Sequence, residues 1–239
     1  MLYLTEISLL ANTLTDFGLK YQPLAAEDLG YCVKTWLDPT NRRTVEEREQ
    51  IASIRVYPWR MTQLHQGVKI VGWRQAAPRL DGIRNAKLGS RQVFFKPHQR
   101  IALSTKVVPE RQFVPRRWDP PGSKKHIRDA AETMDNPNPT PRQRLAEYEK
   151  WTAERLEGAL AGTLFGAIDS VEIRDYEKQE VVRKIRFRKE STSYAKRIIP
   201  IANAVVRLTV RSPEALEAWL LRGTNPHRCF GYGAWLPVR

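Results

Sequence analysis

Residues 2–10, LYLTEISLL, are apolar with polar breaks at Thr5 and Glu6, a pattern that predicts a strand. Residues 24–37, LAAEDLGYCVKTWL, set Leu24, Leu29, Val33, Trp36 and Leu37 near helical spacing. The following stretch, 38–55, is highly charged and includes TVEEREQ, which fits either a continuation of that helix or a solvated excursion. Strands are then predicted at 54–57, 68–73, 91–95 and 99–107, the last rich in β-branched residues and ended by Val108-Pro109. The first half therefore reads as α/β with several strands.

Residues 115–142 concentrate Pro, Gly, Asn and charge, with a short helix at 125–134 as their one regular segment, and mark a boundary. Pro141 then opens a long helix in which Leu145, Tyr148, Trp151, Thr152 and Leu156 form one stripe, while Glu147, Glu149, Lys150 and Glu154 lie elsewhere. Strands are expected at 167–174, 181–188 and 204–210. A helix follows from 213 to 221, capped by Ser212 and ended by Gly223, and a last strand at 232–238. This order fits a ferredoxin-like split βαβ unit, of which the first half is a divergent copy. The expected division is a first domain with a charged insertion at 1–125, a Pro-rich linker at 126–142 and a second domain at 143–239.

Charge narrows the partner. Forty Lys and Arg stand against 26 Asp and Glu, for a net charge of +14, which points to a polyanion. No basic amphipathic helix with an aromatic face and no apolar run of membrane-spanning length is present, so nucleic acid is favoured over a membrane surface. The start, MLYLTEISLL, has neither a basic leader nor a small-residue cleavage site and predicts a cytoplasmic protein. Cys32 and Cys229 match no zinc spacing, so no disulfide, metal or cofactor is expected.

Several basic clusters are candidate RNA contacts. Lys184, Arg186 and Arg188 alternate along a predicted strand and suit a phosphate row; Lys196-Arg197, Arg116-Arg117 and Lys124-Lys125 are the others. A run of this kind taken alone is usually a solvated face; several of them together with the +14 charge point to an RNA surface. Trp36, Trp151, Trp219 and Trp235 fall at core-like positions, and Trp59, Trp73 and Trp118 are open. The loop after the last helix holds Arg222, Gly223, His227, Arg228, Gly231 and Gly233. Its glycines allow close backbone approach to a phosphate, or serve only as a helix cap and a bulge.

The order SPEAL helix, RG, small basic loop, FGYG, apolar strand resembles the C-terminal glycine-rich segment of the repeat-associated (RAMP) CRISPR proteins, in particular the type I-E repeat-processing endoribonuclease and its type IV counterpart. MLYLTEI, RIALSTKVVP and QRLAEYEKWTAERLEGAL agree with the type I-E pattern in the same order. The resemblance implies an α+β fold of two tandem ferredoxin-like (RRM-like) βαββαβ domains with a C-terminal glycine-rich loop. It also implies a metal-independent endoribonuclease that cuts CRISPR precursor RNA at the base of the repeat hairpin and stays bound to the mature guide within an effector complex. The 2′-hydroxyl attacks the adjacent phosphate, leaving a 2′,3′-cyclic phosphate and a 5′-hydroxyl. In type I-E enzymes a catalytic His lies in the first helix, but here no His precedes His65. Either His65, in QLHQG, is a transposed catalytic residue, or Tyr31, Lys34, Arg42 or Arg43 do the work without histidine, as type IV relatives do. The missing early His keeps a non-catalytic guide-handle-binding subunit as the alternative. An RNA chaperone without any CRISPR link is a further one.

Overall fold

The structure, a computed structural model, describes residues 1–21, 28–78, 86–113, 126–132, 136–160, 165–187, 191–224, 228 and 231–238. The chain opens with β1 (Leu2–Leu10), α1 (Ala11–Tyr21), α2 (Leu29–Trp36) and α3 (Val45–Ile54). It then forms the hairpin β2 (Trp59–Leu64) and β3 (Gly67–Arg74), followed by β4 (Ala86–Val93). These strands make an antiparallel sheet in the order β2-β3-β1-β4. The next strand, β5 (Arg100–Val107), leaves that sheet. After a small hairpin, β6 (Glu110–Phe113) and β7 (His126–Asp129), come α4 (Pro141–Leu160), β8 (Gly166–Phe187), β9 (Ser191–Val210), α5 (Pro213–Arg222) and β10 (Leu236–Pro237). The second sheet has the order β10-β5-β9-β8.

In both sheets the first strand of the unit lies between its third and fourth. This is the ferredoxin-like strand order, so the architecture is α+β with two tandem ferredoxin-like units. The second unit has a helix on each crossover. The first packs three helices onto its first crossover, and its second crossover, residues 75–85, contains no helix among its described residues.

Several expectations are corrected. The charged stretch 38–55 is neither a continuation of α2 nor a bare excursion: Thr44 and Glu47 form a reciprocal capping box that starts a separate helix, α3. Residues 54–57 end that helix and are not a strand. Of the helix expected at 125–134, the described residues 126–132 form β7 and a turn instead. There the Asp129 carboxylate accepts from Ala131 N at 2.9 Å, and Ala130 N donates to Pro109 O at 2.8 Å. Local helix propensity yields to the Asp129 turn bond and to the tertiary bond with Pro109. The strands 167–174 and 181–188 are one 22-residue strand bent by two irregularities, between Ile168 and Ser170 and between Ile173 and Asp175. Residues 100–107, placed with the first domain from sequence, pair with β9 and belong to the second sheet. A strand's sheet is fixed by its distant partner, which the local pattern does not encode.

The α4 stripe faces the core as its spacing predicts: Tyr148, Trp151, Thr152 and Leu156 are at most 3% exposed, and Leu145 is partly buried against the same core. Below it, Arg144 ion-pairs with Asp129, which also accepts from Tyr148 Oη at 2.8 Å. Burial raises the Tyr148 phenol well above its ordinary range, so it stays a donor. The main core joins both units: Leu2, Leu4 and Trp73 of the first cluster with Leu103, Val206, Trp219 and Trp235 of the second. A separate core under the first sheet holds Ile7, Val33, Trp36, Ile54, Trp59 and Ile70. Trp59 and Trp73, open on sequence, are therefore packing residues.

Candidate nucleic-acid interface

Between the two sheets lies a polar cleft of about 500 Å3, lined by β2, the start of α2, β5, the adjoining part of β8 and the glycine-rich loop. Its cations are Arg60, Lys106 and Lys178; Asp28 and Glu177 are its acids. Arg60 crosses from the first sheet to donate to Ser104 Oγ at 3.1 Å and Ser104 O at 3.4 Å. Ser104 and Lys106 are two residues apart on β5 and share a face of the pleat, so the two cations converge. Lys106 pairs with Glu177 at 3.8 Å, while Lys178 is held by Glu132 at 3.3 Å. Asp28 caps α2, accepting from Tyr31 N at 3.0 Å.

The glycine-rich loop closes one wall. Gly223 ends α5 with φ +65° and its N–H donates to Trp219 O at 3.0 Å. Gly233 N donates to Lys106 O at 2.8 Å, and Thr224 Oγ1 accepts from the Trp235 indole at 2.6 Å. At Gly231, with φ +89°, an added Cβ would come within 2.5 Å of the Trp59 ring, and at Gly223 within 2.9 Å of Pro58. At these two positions the close backbone approach is made to the first sheet, so the glycines act as the joint between the units.

A second basic feature projects from the second sheet. β5 pairs with β9 over residues 202–209, while β8 and β9 continue to pair with each other out to Phe187 and Ser191, as a two-stranded arm. The register pairs Val182 with Lys196, Lys184 with Tyr194 and Arg186 with Thr192, so positions 184, 186 and 196 share one face of the arm. Position 197 falls on the opposite face. Arg197 there donates to Glu110 Oε1 at 2.8 Å and holds the β6–β7 hairpin against the arm.

No protein-family model and no curated protein sequence matches the chain. Solved structures do. A CRISPR endoribonuclease Cse3 bound to a 19-nucleotide RNA superposes over 99% of this chain and 100% of its own, with a TM-score of 0.57 at 18% identity. The CRISPR-associated protein Cas6e from Escherichia coli str. K-12 covers 99% and 98%, with a TM-score of 0.53 at 13% identity. A chain of a CRISPR RNA-guided surveillance complex gives 0.50 at 13% identity, over 99% and 98%. The chain has the Cas6e fold.

On this Cas6e fold the residues singled out from sequence separate into groups. Tyr31 and Lys34 lie on α2; Tyr31 is buried, with Lys34 Nζ 5.7 Å from its ring centroid. Arg42 donates to Trp36 O at 2.6 Å, and its guanidinium lies 4.2 Å from the centroid of the Phe17 ring, a packing position. Arg43 is exposed at the start of α3. His65 is exposed in the β2–β3 turn, outside the lining of the cleft, which β2 supplies as far as Gln63. The five are thus spread over α2, the segment leading into α3 and the β2–β3 turn. Arg222 is exposed at the end of α5, and Arg228 donates back to its carbonyl while stacking 5.9 Å from the Tyr57 ring centroid. Arg116, Arg117, Lys124, Lys125, Arg188 and His227 lie outside the described residues. Arg60 and Lys106 carry no signal in the sequence: Arg60 is the single cation of β2, Lys106 lies at the far end of β5 from Arg100, and only the sheet topology brings them together.

Proposed function

We propose that this protein is a metal-independent endoribonuclease that cuts CRISPR precursor RNA at the base of the repeat hairpin and retains the mature guide within an effector complex. The observation that carries this reading is the end-to-end superposition on a CRISPR endoribonuclease bound to RNA. The +14 charge and the basic arm add to it. Positions 184, 186 and 196 meet the phosphates of the hairpin stem, whose A-form shape is read through its backbone and 2′-hydroxyls. Arg222 and Arg228 add charge at the glycine-rich loop.

In the reaction the 2′-hydroxyl oxygen bonds to the adjacent phosphorus as the bond from phosphorus to the 5′-oxygen breaks. The nucleophile loses a proton and the leaving oxygen gains one. The protein contributes alignment and positive charge on the phosphorane. Lys34 and Arg43 supply that charge, with Tyr31 and Arg42 setting α2 and α3 in place. Incubation of the purified protein with the repeat hairpin in EDTA tests this: cutting that continues in EDTA and stops with a 2′-deoxy nucleotide at the cut site supports it.

A second reading is favoured by the scatter of the five candidate residues. In it the protein binds the guide handle as a structural subunit and does not cut. Tight hairpin binding with intact RNA after prolonged single-turnover incubation would establish it.

A further inference from the structure

The cleft between the sheets is of small-ligand size, at about 500 Å3. It has room for one or two nucleotides and none for a duplex. Its polar lining is drawn from both units: Arg60 and Gln63 from β2, Lys106 from β5, Gln179 from β8, and Gly231 and Tyr232 from the glycine-rich loop. Arg60 is fixed by its bonds to Ser104, and Lys106 is tied through its own carbonyl to Gly233 N. The Arg60 guanidinium is therefore positioned before any ligand arrives, and the backbone that carries Lys106 is anchored beside it. The contact of Lys106 with Glu177, at 3.8 Å and with side chains 35% and 61% exposed, is a weak solvent-screened pair. A phosphate replaces it at little cost. Gln63 is exposed, and the Gln179 carbonyl accepts from Tyr232 Oη at 3.3 Å. These amides offer donors and acceptors to a base edge.

Resting on the RNA-binding reading above, we infer that this cleft takes an unpaired nucleotide flanking the hairpin, with its phosphate on Lys106 and Arg60 and its base edge toward Gln63 and Gln179. Unpaired nucleotides expose the edges a stem conceals, so the site gives the protein a means of selecting the single-stranded flank independently of the stem.

The test measures the affinity of the full-length protein for two repeat hairpins made uncleavable by 2′-deoxy substitution, one with single-stranded flanks and one blunt. The flanks are expected to tighten binding about tenfold, the scale of one charge-assisted hydrogen bond. Lys106→Ala removes that gain and leaves blunt-hairpin affinity unchanged, and Lys106→Arg keeps most of it. Because Lys106 is half-exposed, its variant melts with the wild type, which thermal denaturation checks. Lys87→Ala, on the strand at the opposite edge of the first sheet from β2, changes neither affinity. A flank gain of the same size in wild type and Lys106→Ala, or no gain in the wild type, overturns this inference alone. Failure of the wild type to bind either hairpin overturns the RNA reading beneath it.

Discussion

The indole Nε1 of Trp73, on β3, donates to the backbone carbonyl of Trp235 at 2.6 Å, a bond between residues 162 positions apart that joins the two sheets inside the shared core. Both rings are about 1% exposed. Trp73→Phe keeps most of the apolar packing and removes the donor. The orphaned buried carbonyl should lower stability by about 1–3 kcal/mol, read as a reduced urea midpoint with an unchanged slope.

The glycine-rich loop makes a second prediction by way of a paired control. Gly231→Ala forces a Cβ to within 2.5 Å of the Trp59 ring at a φ of +89°. A left-handed backbone position of this kind, added to the clash, should cost about 1–3 kcal/mol and loosen the wall of the cleft. At Gly89, exposed on β4, nothing lies within 4 Å of an added Cβ. Gly89→Ala should leave the melting temperature unchanged or raise it slightly.

These two sites show what the sequence makes legible. The α4 stripe and α5 with its Ser212 and Gly223 caps can be read because helix periodicity and capping are local. Helix α3 is equally local, announced by Thr44 and Glu47, but the charge of its neighbours hides the capping box. The membership of β5 in the second sheet and the union of β8 from two expected strands are not legible, since both depend on pairing across a hundred residues or on the length of a partner strand. The candidate site follows the same division. The basic row at 184 and 186 follows from strand alternation. The pairing of Arg60 with Ser104, and so the cleft, needs the assembled sheets. Adjacent Lys196 and Arg197, which read as one cluster in the sequence, are divided by the pleat onto opposite faces.

The arm predicts a salt signature. Each cation removed from a phosphate should reduce the slope of log affinity against log salt by about 1. Lys184→Ala, Arg186→Ala and Lys196→Ala together should flatten that slope by about 3, while Arg183→Ala, at a position on the other face, changes it little. A slope unaltered in the triple variant would remove the arm from the RNA interface.

His65 is exposed in a turn and is not part of the cleft lining. His65→Ala is expected to retain cleavage, whereas loss of a true general acid or base would slow it by roughly 10²–10⁴-fold. Measured under single turnover, the rate separates the transposed-histidine reading from the one that relies on basic residues.

The central claim is cleavage itself, and the most direct measurement is the mass of the products formed by excess protein on a labelled repeat hairpin in EDTA. The account predicts a single cut at the 3′ base of the stem, with a 2′,3′-cyclic phosphate on one fragment and a 5′-hydroxyl on the other. Full-length RNA recovered intact from a tight complex would contradict it and assign the protein to the guide-binding subunits.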